Sequence, residues 1–179
     1  MKRAGLPLLL IFWGFLATPT SAAQPIPWVF GMTPEQVKAQ AEYGPYRSFS
    51  NGDLETYNGV WDGQKQNFQF FFKQGKLVRI GIDLYEGHDL SVASEEWLKL
   101  YEGLRSKFGQ IETPDAEPPI GDGRVFMDAA QKRVELGDEP QMAPVRQPTD
   151  TFIYAGLKRY EAEGQTYFNV FLFLDPPRA

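Results

Sequence analysis

Apolar and polar positions repeat along this chain with two periods, and the periods divide it into elements. Trp97, Leu100, Tyr101, Leu104 and Phe108 fall at i, i+3, i+4, i+7 and i+11, which is one stripe of a helix. Glu95, Glu96, Lys99, Glu102, Arg105 and Lys107 take the remaining face. Ser94 is placed to cap the start, Glu95 and Glu96 suit the positive end of the helix dipole, and Gly109 follows as the residue that ends it. An earlier helix is marked by its start. Thr33 stands at the N-cap, Pro34 at the first helical position and Gln36 two residues further on, with Met32 and Val37 as a hydrophobic staple. That pattern predicts a helix running to about Glu42 and stopping before Gly44-Pro45.

Elsewhere the period is two, the repeat of a strand. Tyr46–Ser50 and Leu54–Trp61 flank the turn Asn51-Gly52-Asp53. Asp62-Gly63-Gln64 turns again, and Gln74-Gly75 joins Asn67–Lys73 to Lys76–Tyr85. In the last of these, Val78, Ile80, Ile82 and Leu84 share one face, and Leu77, Arg79, Gly81 and Asp83 the other. Thr151–Glu161 and Gln165–Leu174 read as a long closing hairpin around Gly164. Ile111–Gly123 and Gly137–Pro148 read as loops rich in Pro and Gly, and Arg124–Leu136 fits either a strand or a helix. Together these predict an α+β fold, an antiparallel sheet packed on one face by two α-helices. A helix followed by strands occurs twice, so a tandem helix–sheet repeat, with subdomains 24–90 and 91–179, is one reading and a single domain over 24–179 the other.

The first residues belong to neither pattern. Lys2 and Arg3 precede the apolar run Leu8–Leu16, and Ser21 and Ala23 stand at −3 and −1 before Gln24, the layout of a cleavable secretory signal. The apolar run from Leu6 to Ala17 is 12 residues, short of the roughly 20 that span a bilayer. The expectation is a signal peptide over 1–23 and a periplasmic or secreted protein with no membrane span after processing. Losing Lys2 and Arg3 takes the formal net charge from −5 to −7. That balance, with no cluster of Lys and Arg, argues against nucleic acid and anionic lipid as partners. The chain contains no Cys, so the expected domain is disulfide-free and its core stabilises it alone.

Catalytic chemistry finds little support in the residues. His88 is the single histidine, and Asp83, Glu86, His88 and Asp89 lie within seven residues. Zinc and calcium sites need converging ligands at spacings that this segment does not match. Without Cys, a Ser or Thr nucleophile would depend on His88, and no Gly-x-Ser-x-Gly elbow occurs. Carboxylates such as Asp83, Glu86 and Asp128 are the residue type of a glycosidase pair, with nothing in their spacing to single them out. Gly121-Asp122-Gly123 is too short for a phosphate loop. No catalytic, metal-binding or cofactor-binding residue is assigned.

Aromatic residues carry the strongest functional pattern. Phe68, Phe70 and Phe72 point one way in their strand and Phe71 the other. Tyr57 and Trp61 have the same parity, as do Tyr154, Gly156, Lys158 and Tyr160. One sheet face must pack on the helices. If the other is open, it displays Tyr57, Trp61, Phe71, Tyr154 and Phe171 beside Arg79, the residue types of protein interfaces. A sheet covered on its second face by Ile111–Pro148 is the alternative.

Trp28–Val37, then Tyr43-Gly44-Pro45, then a Tyr/Trp hairpin and Phe70–Leu77 resemble a known group. The pattern is similar to that of the small outer-membrane-assembly lipoproteins of the SmpA/OmlA (BamE-like) group, and to the wider fold of the β-lactamase inhibitor proteins. The shared features are a Gly-Met-Thr-x-x-x-Val helix start, a Gly-x-Pro stop and an antiparallel sheet, over about Trp28–Leu84. The resemblance implies architecture and a protein-binding style. The assembly lipoproteins carry a lipid-modified Cys after the leader, where this chain has Gln24, and the disulfides of the inhibitor proteins have no counterpart here. The functional expectation is an exported, non-catalytic module that binds an envelope or secreted protein through an aromatic sheet face. An envelope-acting hydrolase using acidic residues near His88, or a structural envelope protein, are the alternatives.

Overall fold

The structure, a computed structural model, describes residues 26–114, 117–119 and 121–178. The predicted leader over 1–23 and its cleavage point before Gln24 lie outside the described residues. Eight strands form one antiparallel sheet: β1 (Arg47–Ser48), β2 (Leu54–Trp61), β3 (Gln64–Lys73), β4 (Lys76–Gly87), β5 (Ile111–Glu112), β6 (Gln141–Pro144), β7 (Phe152–Ala162) and β8 (Gln165–Asp175). Their order across the sheet is β1-β2-β3-β4-β8-β7-β6-β5. Each half of the chain therefore lays down its own up-and-down run of strands, and the two runs join where β4 pairs with β8. Three of the hairpins turn on two residues, Asp62-Gly63, Gln74-Gly75 and Glu163-Gly164. All six of these residues have positive φ, the backbone twist that matches two right-twisted strands and that explains the Gly at each second position.

The helices are α1 (Pro34–Lys38), α2 (Leu90–Phe108) and α3 (Arg124–Glu135). They overturn the expected sheet packed on one face by two α-helices. The large sheet dominates, and α1 is a five-residue turn with Val37 its one buried side chain. The predicted capping box is present: Thr33 N–H donates to Gln36 Oε1 at 2.9 Å, and Gln36 N–H to Thr33 Oγ1 at 3.3 Å. Instead of continuing to Glu42, the helix gives way to a separate 3-10 turn, Ala41–Tyr43. The first half of the sheet is covered largely by irregular chain, with Trp28 packed on Phe68 and Phe70 at ring separations of 5.2 and 4.7 Å. In the second half α2 lies against β4 and β8, and α3 packs on α2 and touches β7.

Two further corrections concern α2 and the loops. The cap of α2 is Asp89 rather than Ser94. The Asp89 carboxylate accepts from the N–H groups of Ser91 and Val92 at 2.8 and 3.3 Å. Ser94 is buried inside the helix, where its hydroxyl donates to Ser91 O and accepts from Gln131 of α3. The ambiguous segment is the helix α3, and short strands β5 and β6 lie within the two stretches expected to be loops.

Residues paired across strands lie on the same face, so the register assigns every side chain. Thr56, Phe68, Ile82, Leu172 and Ala155 form one continuous row across β2, β3, β4, β8 and β7. Leu54, Phe70, Ile80, Leu174 and Ile153 form the next row. All are buried, and this is the core face, on which Trp28 and α2 pack. Burial of each large apolar side chain here contributes roughly 1.5–3 kcal/mol.

Candidate functional site

The opposite face is built from the alternate residues of the same strands. The buried apolar residues of α1, α2 and α3 all belong to the core cluster of the first face. At the centre of the opposite face the Phe173 ring touches three others. Phe71 meets Phe173 at 6.1 Å between centroids, Phe173 meets Phe171 at 4.7 Å, and Phe173 meets Tyr154 at 5.3 Å. Two glycines let these rings lie flat on the sheet. A Cβ on Gly156 would stand 2.2 Å from Phe171 Cζ, and one on Gly81 would stand 2.9 Å from Phe173 Cε1. Arg79 lies over this patch, its Cζ 4.8 Å from the Phe173 centroid and 5.6 Å from that of Tyr154. Its guanidinium donates from Nε and Nη2 to the two oxygens of Asp175 at 2.6 and 2.8 Å. These charge-assisted bonds hold Arg79 above its ordinary pKa.

Beside the rings lies a polar patch. Asp83 accepts from Gln69 Nε2 at 2.7 Å and from Asn169 Nδ2 at 3.0 Å. Burial pushes its carboxyl pKa up, with the Glu86 charge adding to the effect and these hydrogen bonds opposing it. Glu86 is hydrogen-bonded by the Tyr160 hydroxyl, and burial together with that bond pushes the Tyr160 pKa well up. Lys158 Nζ is 5.2 Å from the Phe171 centroid and 5.6 Å from that of Tyr160. Glu55, 4% exposed, pairs with Arg47 at 3.2 Å. Tyr57 stands clear of the surface at 62% exposure.

The predicted site residues thus separate. Phe71, Arg79, Tyr154 and Phe171 come together on the second face, although Phe171 is only 4% exposed, beneath Lys158 and beside Phe173. Tyr57 shares that face on β2, next to Glu55. Trp61 does not. A register shift between Thr56 and Gly59 inserts a bulge in β2, which reverses the parity that Tyr57 and Trp61 have in the sequence. Glu55 pairs with Gln69 on the second face, whereas Trp61 pairs with Gln64 on the core face, where Lys107 of α2 sits 4.5 Å over its ring. Leu77 is displaced in the same way. The shift between Phe71 and Phe72 pairs it with Phe72, and it is 1% exposed in the core. Phe173, the hub of the ring cluster, and Asp175 were not among the expected site residues. Parity with Phe171 is the signal that finds both.

His88 is not joined by Asp83 and Glu86 of its segment. Asp83 and Glu86 point to the second sheet face and hydrogen-bond there. Asp89 is engaged in capping α2. His88 Nδ1 lies 2.7 Å from Thr166 O, and its ring is 4.2 Å from Tyr167. An open pocket of about 580 Å³ sets His88 beside Asp89, Glu135 and Arg159. Among the described residues no three His, Cys, Asp or Glu side chains are grouped to hold a metal ion, and no helix is long and apolar enough to cross a membrane.

Comparison with family models, curated proteins and solved structures finds no match for this chain.

Proposed function

We propose that this protein is an exported, non-catalytic binding module whose uncovered sheet face receives a protein partner from the cell envelope or the secreted pool. The observation that carries the reading is the ring cluster in which Phe173 touches Phe71, Phe171 and Tyr154, on the face opposite the one that receives the buried apolar residues of the helices. Rings seated over glycine are rigid before any partner arrives, so little side-chain freedom is lost on binding. Arg79, paired with Asp175, and Lys158 lie over the rings, so a partner meets cations and aromatic faces together, the residue types of interface anchors. Support for export is the basic start, apolar run and small residues of 1–23. The likeness to the outer-membrane-assembly lipoproteins is kept as part of the proposal, on the helix-start and turn residues that carry it.

The test is capture from an envelope extract with the full chain as bait, followed by affinity measurement on the recovered partner. Tyr57→Ala and Arg79→Ala are expected to weaken capture by roughly 2 kcal/mol each, as interface anchors do. Thermal stability should stay nearly unchanged for Tyr57→Ala. Trp61→Ala, on the other side of the sheet, should leave the intrinsic affinity as it is. Undiminished capture by Tyr57→Ala and Arg79→Ala together would rule out this face.

A further inference from the structure

A second cavity lies on the other side of the sheet from the proposed partner face. Its volume is about 910 Å³, within the roughly 300–1,000 Å³ of small-molecule sites. The floor is Ile80, Ile153 and Leu174, three neighbouring strand residues that are each 5% exposed or less. The walls are Trp28 and Phe30 from the first segment, Trp61 from the end of β2 and Phe108 from the end of α2. The cavity therefore sits at the seam between the irregular cover of the first half and the helical cover of the second. Its apolar walls are largely aromatic.

Charge enters only at exposed lining positions, and its sign is informative. Lys107 is already held, with Nζ 2.9 Å from Asp62 Oδ1 and 4.5 Å above the Trp61 ring. Asp150 lines the cavity and has no cation partner among the described residues. The lining thus offers hydrocarbon depth and one uncompensated carboxylate. A carboxylate-headed chain would bring its charge against Asp150. A head bearing an ammonium would find Asp150 waiting.

We propose that this cavity binds the hydrocarbon chain of a single-chain lipid whose head group carries an ammonium, with the chain over Ile80, Ile153 and Leu174 and the ammonium at Asp150. The site is independent of the partner face, and its test involves no residue of that face.

The full chain is titrated with lysophosphatidylethanolamine bearing a brominated acyl chain, below its micelle concentration, and tryptophan emission is followed. Bromine quenches nearby indoles, and Trp28 and Trp61 line the cavity. Saturable quenching is expected, and brominated stearate should bind roughly two- to fivefold more weakly, the size of one exposed ion pair gained or lost. Asp150→Lys, an exposed substitution, should reverse that preference while circular dichroism and the melting temperature stay as they are. Absence of saturable quenching by either lipid would overturn the site. Equal binding of both lipids, or an unchanged preference in Asp150→Lys, would overturn the head-group assignment. A chain lacking residues 1–23, the form that the proposed export would leave, is expected to show the same quenching, and its absence there would overturn the site.

Discussion

At the scale of single residues, environment sets behaviour that residue type alone does not. Trp97 heads the apolar stripe of α2, is 2% exposed, and stacks on Phe126 of α3 at 6.4 Å with the rings 2° from parallel. Trp97→Ala should cost about 3–5 kcal/mol, the transfer and cavity cost of a buried aromatic, measured by denaturant titration. A loss below about 1 kcal/mol would mean that the stripe is not core. Asp83 is the second case. Burial raises its folded pKa above the ordinary 3.8. Between the ordinary value and the raised one, the folded state keeps a proton that the unfolded chain has released. Stability therefore falls as pH rises through that window and stays lower above it. Asp83→Asn lacks this titration, so its stability relative to the parent should be greater at pH 7 than at pH 3. Urea titrations at the two pH values check this, and an equal difference at both would contradict it.

At the scale of elements, caps and turns follow local sequence closely, while strand parity does not survive intact. The Thr33 capping box and the two-residue turns at Gly63, Gly75 and Gly164 depend on a few adjacent residues, and they stand where the pattern puts them. Asp89 shows the opposite. Both Asp89 and Ser94 have the chemistry of an N-cap. The choice falls on Asp89 because Ser94 is needed inside, where it receives Gln131 at 2.6 Å. Asp89→Ala is expected to cost about 1 kcal/mol, within the roughly 0.5–2 kcal/mol of lost caps, in an equilibrium unfolding measurement. Ser94→Ala should act through the α2–α3 contact, so a double-mutant cycle with Gln131→Ala should show coupling that one with Asp89→Ala lacks. The bulges in β2, β3–β4 and β4 are the reason that Trp61 and Leu77 left the face their spacing predicts. A period-two count holds only between bulges, and a bulge is set by pairing with the next strand.

At the scale of the whole molecule, the joint between β4 and β8 decides how the chain behaves. Core side chains run without interruption from Phe68 and Ile82 through Leu172 to Ala155. The strands of 24–90 end in a β4 whose outer edge is satisfied by β8, and α2 from the second half packs on β4. A fragment ending at residue 90 would expose the row Ile80–Ile82 and an unpaired β4 edge. It is expected not to fold alone, and the full chain to unfold in one transition that tryptophan fluorescence and far-ultraviolet circular dichroism report at the same midpoint. A cooperative melt of the fragment, or two separated midpoints for the full chain, would show that the halves are independent.

By itself the sequence determined the short-range features. They include the capping box at Thr33, the long apolar stripe of α2, and the hairpin turns. It also determined the parity that puts Phe71 and Arg79 opposite Phe70 and Ile80. Each depends on residues within a few positions of one another, where propensity and side-chain period act directly. Tertiary structure alone decided that α3 is a helix and that Asp89 rather than Ser94 begins α2. It alone sent Trp61 to the core face while Tyr57 stayed on the other, and brought Asp175, which parity with Phe171 places on that face, across the sheet to Arg79. The physical reason is the same in each case. These outcomes depend on strand partners and helix contacts far away in the chain, with Arg79 and Asp175 separated by 96 positions. Burial, register and hydrogen-bond satisfaction between such distant segments are properties of the folded contacts, and no local pattern encodes them.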